Sequence, residues 1–159
     1  LALNEIRTLR TRVDVLSQSA MKIARYLDKH PKIASVNYLG LEKHPLHEVA
    51  KKYLWLVDAE YDEQYKKPVN RYGHLMSFQL KGGIPAARKL LDGLKRIWRA
   101  TDLGRIKSIA CMPSISTHQQ MGEDSRHLAS IPPDLFRLSI GAEHPDDLIA
   151  DLDQALARV

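Results

Sequence analysis

Leu135-Phe136-Arg137-Leu138-Ser139-Ile140 divides by alternation: Phe136, Leu138 and Ile140 share one wholly apolar face, and Leu135, Arg137 and Ser139 share the other. A period of two is that of a β-strand with one face in a core, and Gly141 releases it. Downstream, Pro145 opens a helix with Asp146 and Asp147 at its positive end, and Leu148, Ile149, Leu152, Ala155, Leu156 and Val159 fall on one stripe. An apolar strand face followed by an apolar helix stripe predicts a helix laid across a sheet. The fold class is therefore α+β.

Working outward, the same criteria predict short strands over His74–Leu80, Ile97–Ala100, Ile106–Met112 and Ile33–Leu39, stopped by Gly82-Gly83, Pro113 and Gly40 where a breaker is present. Helices are predicted over Pro85–Leu94 and Pro45–Leu54, and Gln119–Ala129 reads as a loop with one helical turn. Trp55–Arg71 holds no sustained period and reads as a long surface excursion. At the other end, Asn4 to His30 contains no Pro or Gly. Its apolar residues Ile6, Leu9, Val13, Leu16, Ala20, Ile23 and Leu27 are three and four apart, which predicts one long helix capped by Asn4 and closed by His30-Pro31. The expected architecture is a long helix, then a small, mostly antiparallel sheet with helices on one face.

At 159 residues the chain holds one core. Its 44% apolar and 27% charged residues place it among globular proteins, and no apolar run reaches the roughly 18 residues of a membrane span. The net charge of +5 is spread among 24 basic and 19 acidic residues; with no clustered basic stripe, neither nucleic acid nor membrane is an expected partner. A single cysteine, Cys111, fits a reducing compartment, and a cytoplasmic location is expected. No metal site is expected: His44-Pro45-Leu46-His47-Glu48 lacks the spacing of a zinc helix. Ser116-Thr117-His118 offers a hydroxyl beside an imidazole, but on an extended chain neighbours point to opposite faces. Arg137 stands out. A guanidinium in mid-strand, beside small Ser139, is pre-organised to grip a planar carboxylate; a structural ion pair is the alternative.

Larger stretches carry a resemblance. Ala100-Thr101-Asp102-Leu103-Gly104-Arg105-Ile106-Lys107-Ser108, then Pro113-Ser114-Ile115-Ser116-Thr117-His118, Phe136 through Glu143 and Asp147 through Leu152 resemble the C-terminal domain of the pyridoxal-phosphate (PLP) enzymes of cysteine and methionine metabolism. Arg7 to Arg12 and Val36-Asn37-Tyr38 through His44-Pro45 look like that family's interdomain helix and first C-terminal strand.

The resemblance implies an aspartate-aminotransferase-like (fold type I) enzyme, with an interdomain helix over 1–30, a small C-terminal domain over 31–159, and a large cofactor-binding domain elsewhere in a longer polypeptide. It implies PLP in the full-length enzyme and none bound by this stretch, which is expected to be inactive alone. No catalytic residue is assigned within it. Ser19-Ala20-Met21-Lys22 faintly echoes the Schiff-base lysine motif but lies inside the long helix and is rejected. The resemblance further implies an amino-acid substrate and a homo-oligomer, a tetramer in the family.

Position by position, Arg137 falls on the arginine that binds the substrate α-carboxylate, Asp102 and Leu103 on the Ser-Leu or Asn-Leu step beside it, and Thr117 on the threonine of a pocket-lining Thr-His motif. Asp102 departs from the pattern, as does Leu39, where Pro is usual. An ionised Asp102 would repel the substrate carboxylate unless turned aside or paired with Arg137. Ala100-Thr101-Asp102-Leu103-Gly104 is nearer the sulfhydrylases than the cystathionine lyases. The implied reaction is γ-substitution on an O-acylhomoserine, of sulfhydrylase or cystathionine gamma-synthase type. A lyase of the same family and a non-catalytic oligomerisation module are the alternatives.

Overall fold

The computed structural model describes residues 2–159, leaving the side chains of Ala2 and Asn4 outside the description. Two helices, α1 (Ala2–Arg7) and α2 (Leu9–Lys29), lead into β1 (Ile33–Asn37), α3 (His47–Tyr53), β2 (Leu75–Leu80), α4 (Gly83–Gly93), β3 (Trp98–Arg99) and β4 (Ile109–Cys111). Then come α5 (Glu123–Leu128), β5 (Phe136–Ser139) and α6 (Pro145–Leu156). The five strands form one sheet in the order β1-β2-β5-β4-β3, antiparallel except for the parallel β3–β4 pair at one edge. Strand β5 is therefore central. Among the described residues no helix is long and apolar enough to cross a membrane.

Three helices cover one face. Leu16, Ala20, Ile23, Ala24 and Leu27 of α2, Ala87 and Leu90 of α4, and Leu148, Leu152, Ala155 and Leu156 of α6 are buried, and most of them meet Met76, Phe78, Phe136 and Leu138 of the sheet in one core. Phe78 and Phe136 stack across β2 and β5 with ring centroids 4.9 Å apart. The opposite face carries Ser35, Asn37, Ser77, Gln79, Arg137 and Ser139. Among the described residues no long helix packs on it; α5 borders its Gln79 end, and the part around Arg137 is where a ligand can approach.

The single long helix expected from Asn4 to His30 is broken at Thr8, whose hydroxyl turns back onto the Glu5 carbonyl (3.3 Å) and competes with the helical ladder. Asn4 does not precede the helix as its cap; it lies within α1. Ile6 and Leu9, the start of the expected stripe, are 63% and 48% exposed. The predicted strand Ile106–Met112 forms only over Ile109–Cys111. Its first residues are diverted, with Ala142 N–H donating to the Ile106 carbonyl (2.7 Å) and Ser108 held by Glu143.

The Trp55–Arg71 excursion is tied down more firmly than its composition suggests. Arg71 Nε donates to buried Asp14 of α2 at 2.5 Å, Tyr65 donates to Asp14 at 2.8 Å, and Arg10 bonds both the Val57 carbonyl and Asp62. Burial raises the Asp14 carboxyl, but hydrogen bonds from Arg71, Tyr65 and Gln18 outweigh it and hold the group below its usual range.

Another carboxylate is built into the core. Asp151, on the buried side of α6, accepts the backbone N–H groups of Lys95 (2.9 Å), Arg96 (2.8 Å) and Ile97 (2.9 Å). It caps the turn that leads from α4 into β3. Burial opposes its ionisation, and the three N–H donors with Gln154 overcome that and depress its pKa.

Candidate functional site

The alternation that puts Phe136 and Leu138 into the core sends Arg137 to the opposite face at the middle of the sheet. Its cross-strand partners there are Ser77 on β2 and Cys111 on β4. Both are small, so the guanidinium stands half-buried with room around it. Its Nη2 donates to the Thr101 carbonyl at 2.8 Å, which fixes the side chain toward the loop after β3. No carboxylate pairs with Arg137 among the described residues. A held cation with most of its donors free, at the floor of a concavity, is suited to a bidentate anion.

Arg137 lines a cavity of about 300 Å³ together with Asn37, Leu39, Ser77, Pro113 and His118. A larger cavity of about 540 Å³ adjoins it across the Arg137–Thr101 hydrogen bond and is lined by Arg99, Thr101, Asp102, Cys111 and Ser116. The other residues singled out in the sequence are distributed around these two spaces. Asp102 faces the second cavity, not the first, and its carboxylate is paired with Arg105 Nε three residues on. The alternative of an Arg137–Asp102 ion pair is thus not realised. Leu103 is 53% exposed and lines neither cavity.

Thr117 is exposed, and its hydroxyl lies 2.8 Å from His118 Nδ1. The expectation that these neighbours point apart is corrected. The chain turns here, with Ser116 N–H and His118 N–H both returning to the Pro113 carbonyl, at 3.2 and 2.9 Å, so the two side chains converge. His118, not Thr117, reaches the Arg137 cavity. The only warning of this in the sequence is Pro113, which starts the turn.

The loop that carries Thr101 and Asp102 is clipped to the end of β5. Glu143 accepts from Ser108 N–H (2.9 Å) and Ser108 Oγ (2.8 Å), and Ser108 Oγ in turn accepts from Gly141 N–H (2.8 Å). Burial raises the Glu143 carboxyl, but these donors and Lys107 hold it below its usual range. A second ion pair, Arg99–Asp92, closes the far side. The histidines near α3 are each separately engaged, His44 Nε2 with Asn37 Oδ1 at 2.7 Å and His47 Nδ1 with the Leu39 carbonyl at 2.8 Å.

A seat for PLP would include a lysine able to form its Schiff base. A Schiff-base lysine is made nucleophilic by burial or by a neighbouring cation, and no lysine is buried among the described residues. Lys22 forms an exposed ion pair with Asp146 at 2.5 Å, and Lys32 donates to the Leu156 and Val159 carbonyls at the end of α6.

Residues 1–157 match the protein family described as Cys/Met metabolism PLP-dependent enzyme. The homocysteine synthase of Schizosaccharomyces pombe is 38% identical over 156 residues, which is 98% of this chain and 33% of that protein. Among solved structures, a putative O-acetylhomoserine (thiol)-lyase from Campylobacter jejuni superposes with a TM-score of 0.85 at 36% identity, covering 98% of this chain and 34% of the other. Cystathionine gamma synthase from Xanthomonas oryzae pv. oryzae, solved in complex with cystathionine, superposes with a TM-score of 0.83 at 36% identity, covering 98% and 36%. The chain thus spans about a third of the length of these relatives.

Proposed function

Because the chain belongs to the Cys/Met metabolism PLP-dependent enzyme family, we propose that it is the C-terminal, substrate-carboxylate-binding domain of a transsulfuration enzyme that carries out γ-substitution on an O-acylhomoserine. The observation that carries this reading is Arg137, a guanidinium at the centre of the sheet face opposite the three helices, with no carboxylate partner among the described residues and a cavity in front of it. In this reading PLP and its electron-sink chemistry belong to a large domain outside this chain. The task of the present residues is to bind and orient. Arg137 takes the α-carboxylate, Ser77 and Cys111 leave room for it, and the Thr101 carbonyl stops the guanidinium from swinging. A substrate fixed by its carboxylate presents its Cα substituents in one orientation, which is the geometric part of the rate enhancement.

The domain division follows the same reading. The second half of α2 is part of this core, whereas Ile6 and Leu9 expose an apolar strip that suits the large domain. Substitution rather than elimination is supported by Ala100-Thr101-Asp102-Leu103-Gly104. Assembly into a homo-oligomer and a cytoplasmic location complete the proposal.

The test is product analysis with the full-length polypeptide that contains this segment. Supplied with O-acetylhomoserine and sulfide, it should release acetate and form homocysteine. Release of ammonia and a 2-oxo acid from cystathionine or methionine, with no homocysteine from O-acetylhomoserine, would replace substitution by elimination.

A further inference from the structure

We propose that Arg105 is a positioning residue for the carboxylate grip: its ion pair with Asp102 diverts the carboxylate that follows the Thr101 contact in the chain, leaving the Arg137 guanidinium unneutralised. This rests on the reading of Arg137 given above. Arg137 Nη2 bonds the carbonyl of Thr101, the atom that leads directly into the Asp102 peptide. A carboxylate attached one residue beyond that contact is therefore the group best placed to neutralise Arg137 in the absence of substrate. It is not free to do so, because Asp102 Oδ2 is taken by Arg105 Nε.

The local backbone is shaped for that pairing. Gly104 has φ +76°, in the left-handed region that glycine enters without steric cost, and nothing lies within 4 Å of where its Cβ would be. The turn it makes brings residues 102 and 105 together. Charge counting gives the consequence. Around the two cavities Asp92 pairs with Arg99 and Asp102 with Arg105, so among the described residues Arg137, like Arg88 at the far end of the larger cavity, has no carboxylate partner. Removing Arg105 leaves Asp102 and Arg137 to neutralise one another. The substrate carboxylate must then displace an internal rival and also meets the repulsion of Asp102.

The experiment uses the full-length holoenzyme and equilibrium binding of L-norvaline, an amino acid with no γ-leaving group, against L-norvalinamide, which differs only at the carboxylate. Arg105→Ala should weaken norvaline about fivefold, the scale of a partly exposed ion pair, and leave norvalinamide within about twofold. The double variant Asp102→Asn/Arg105→Ala should return norvaline to within about twofold of the starting protein, and Arg105→Lys should retain most of its affinity. Unchanged norvaline binding in Arg105→Ala overturns the proposal. So does an equal loss for both ligands, or a loss that Asp102→Asn does not rescue, since either shows a role in holding the fold. Should Arg105→Ala not fold, Arg105→Gln alone and combined with Asp102→Asn gives the same comparison. Arg137→Ala is the separate control: if it leaves the norvaline to norvalinamide ratio unchanged, the carboxylate reading itself is wrong.

Discussion

Replacing Arg137 by Lys separates a binding role from a structural one, and both sides of the comparison follow from the contacts. In the fold, the guanidinium makes one hydrogen bond to a backbone carbonyl and no ion pair. Its loss should cost about 1 kcal/mol of stability, which lowers Tm by a few degrees at most for a domain of this size. In binding, the planar fork engages a carboxylate through two parallel donors, and an ammonium does not reproduce that geometry. Loss of a charge-assisted hydrogen bond costs about 1.5–3 kcal/mol, roughly ten- to hundredfold in affinity. Arg137→Lys in the full-length enzyme should therefore retain its fold and bound cofactor while Kd for norvaline and KM for O-acetylhomoserine rise by at least about tenfold. Both quantities are measured on one preparation, Tm by calorimetry and Kd by titration. A Tm lower by more than about 10 °C with unaltered amino-acid affinity would refute the reasoning, because it would mean that Arg137 holds the loop after β3 and not the substrate.

Asp151→Ala leaves three backbone N–H groups without their acceptor and should destabilise the chain by about 3–5 kcal/mol, measured by urea unfolding. Because the folded pKa of Asp151 is depressed, its contribution is fully present above the unfolded aspartate value near 4 and is lost as pH falls toward the folded value. Asp14 and Glu143 are depressed in the same direction, so the contribution of these carboxylates should be constant above about pH 5 and fall below it; His74, held below its usual value by burial, starts the decline on acidification earlier, from its unfolded value of 6.5, and a curve that rises on acidification contradicts this. Gly141→Ala would put a Cβ 2.3 Å from the Ile106 carbonyl oxygen and 2.5 Å from Ser108 N, both backbone atoms. It should cost at least the roughly 1–3 kcal/mol of an overpacked core and loosen the clip on residues 106–108, which amide exchange would report. Replacing exposed Ile6 and Leu9 by Asp in this chain alone should change its stability by no more than about 0.5 kcal/mol each, yet weaken cofactor retention in the full-length protein if the strip meets the large domain.

The parts of this fold legible in the sequence are those where one periodicity prevails. Phe136 to Ser139 alternates without exception and forms the central strand; Leu148, Leu152, Ala155 and Leu156 keep the helical interval and reach the core. Reading failed where a side chain competes with the backbone or a distant residue completes a contact. Thr8 interrupts an otherwise unbroken helical pattern through its own hydroxyl, and composition gives no weight to that. The order within Trp55–Arg71 comes from Asp14, far earlier in the chain. Asp14 did leave a trace: it and Asp151 each stand among buried positions of an amphipathic helix, and an acid there requires donors from another element.

For the site, the alternation alone placed Arg137 on the face away from the core, because a strand has only two faces to offer. Its surroundings were less accessible. Whether a mid-strand arginine is a grip or half of an ion pair depends on what each nearby carboxylate is bonded to, and Asp102 directly follows Thr101, whose carbonyl Arg137 bonds. The deciding partner lies three residues along the chain with a glycine between, a spacing that the sequence displays, although the left-handed turn that closes it appears only in the backbone. The same reasoning explains Thr117 and His118: treated as extended they diverge, and once the carbonyl of Pro113 accepts two successive returns the imidazole swings into the Arg137 cavity and the hydroxyl becomes its outer partner. The chemistry of this face is thus carried by short turns following β3 and β4, while the central strand supplies Arg137, the charge they are arranged around.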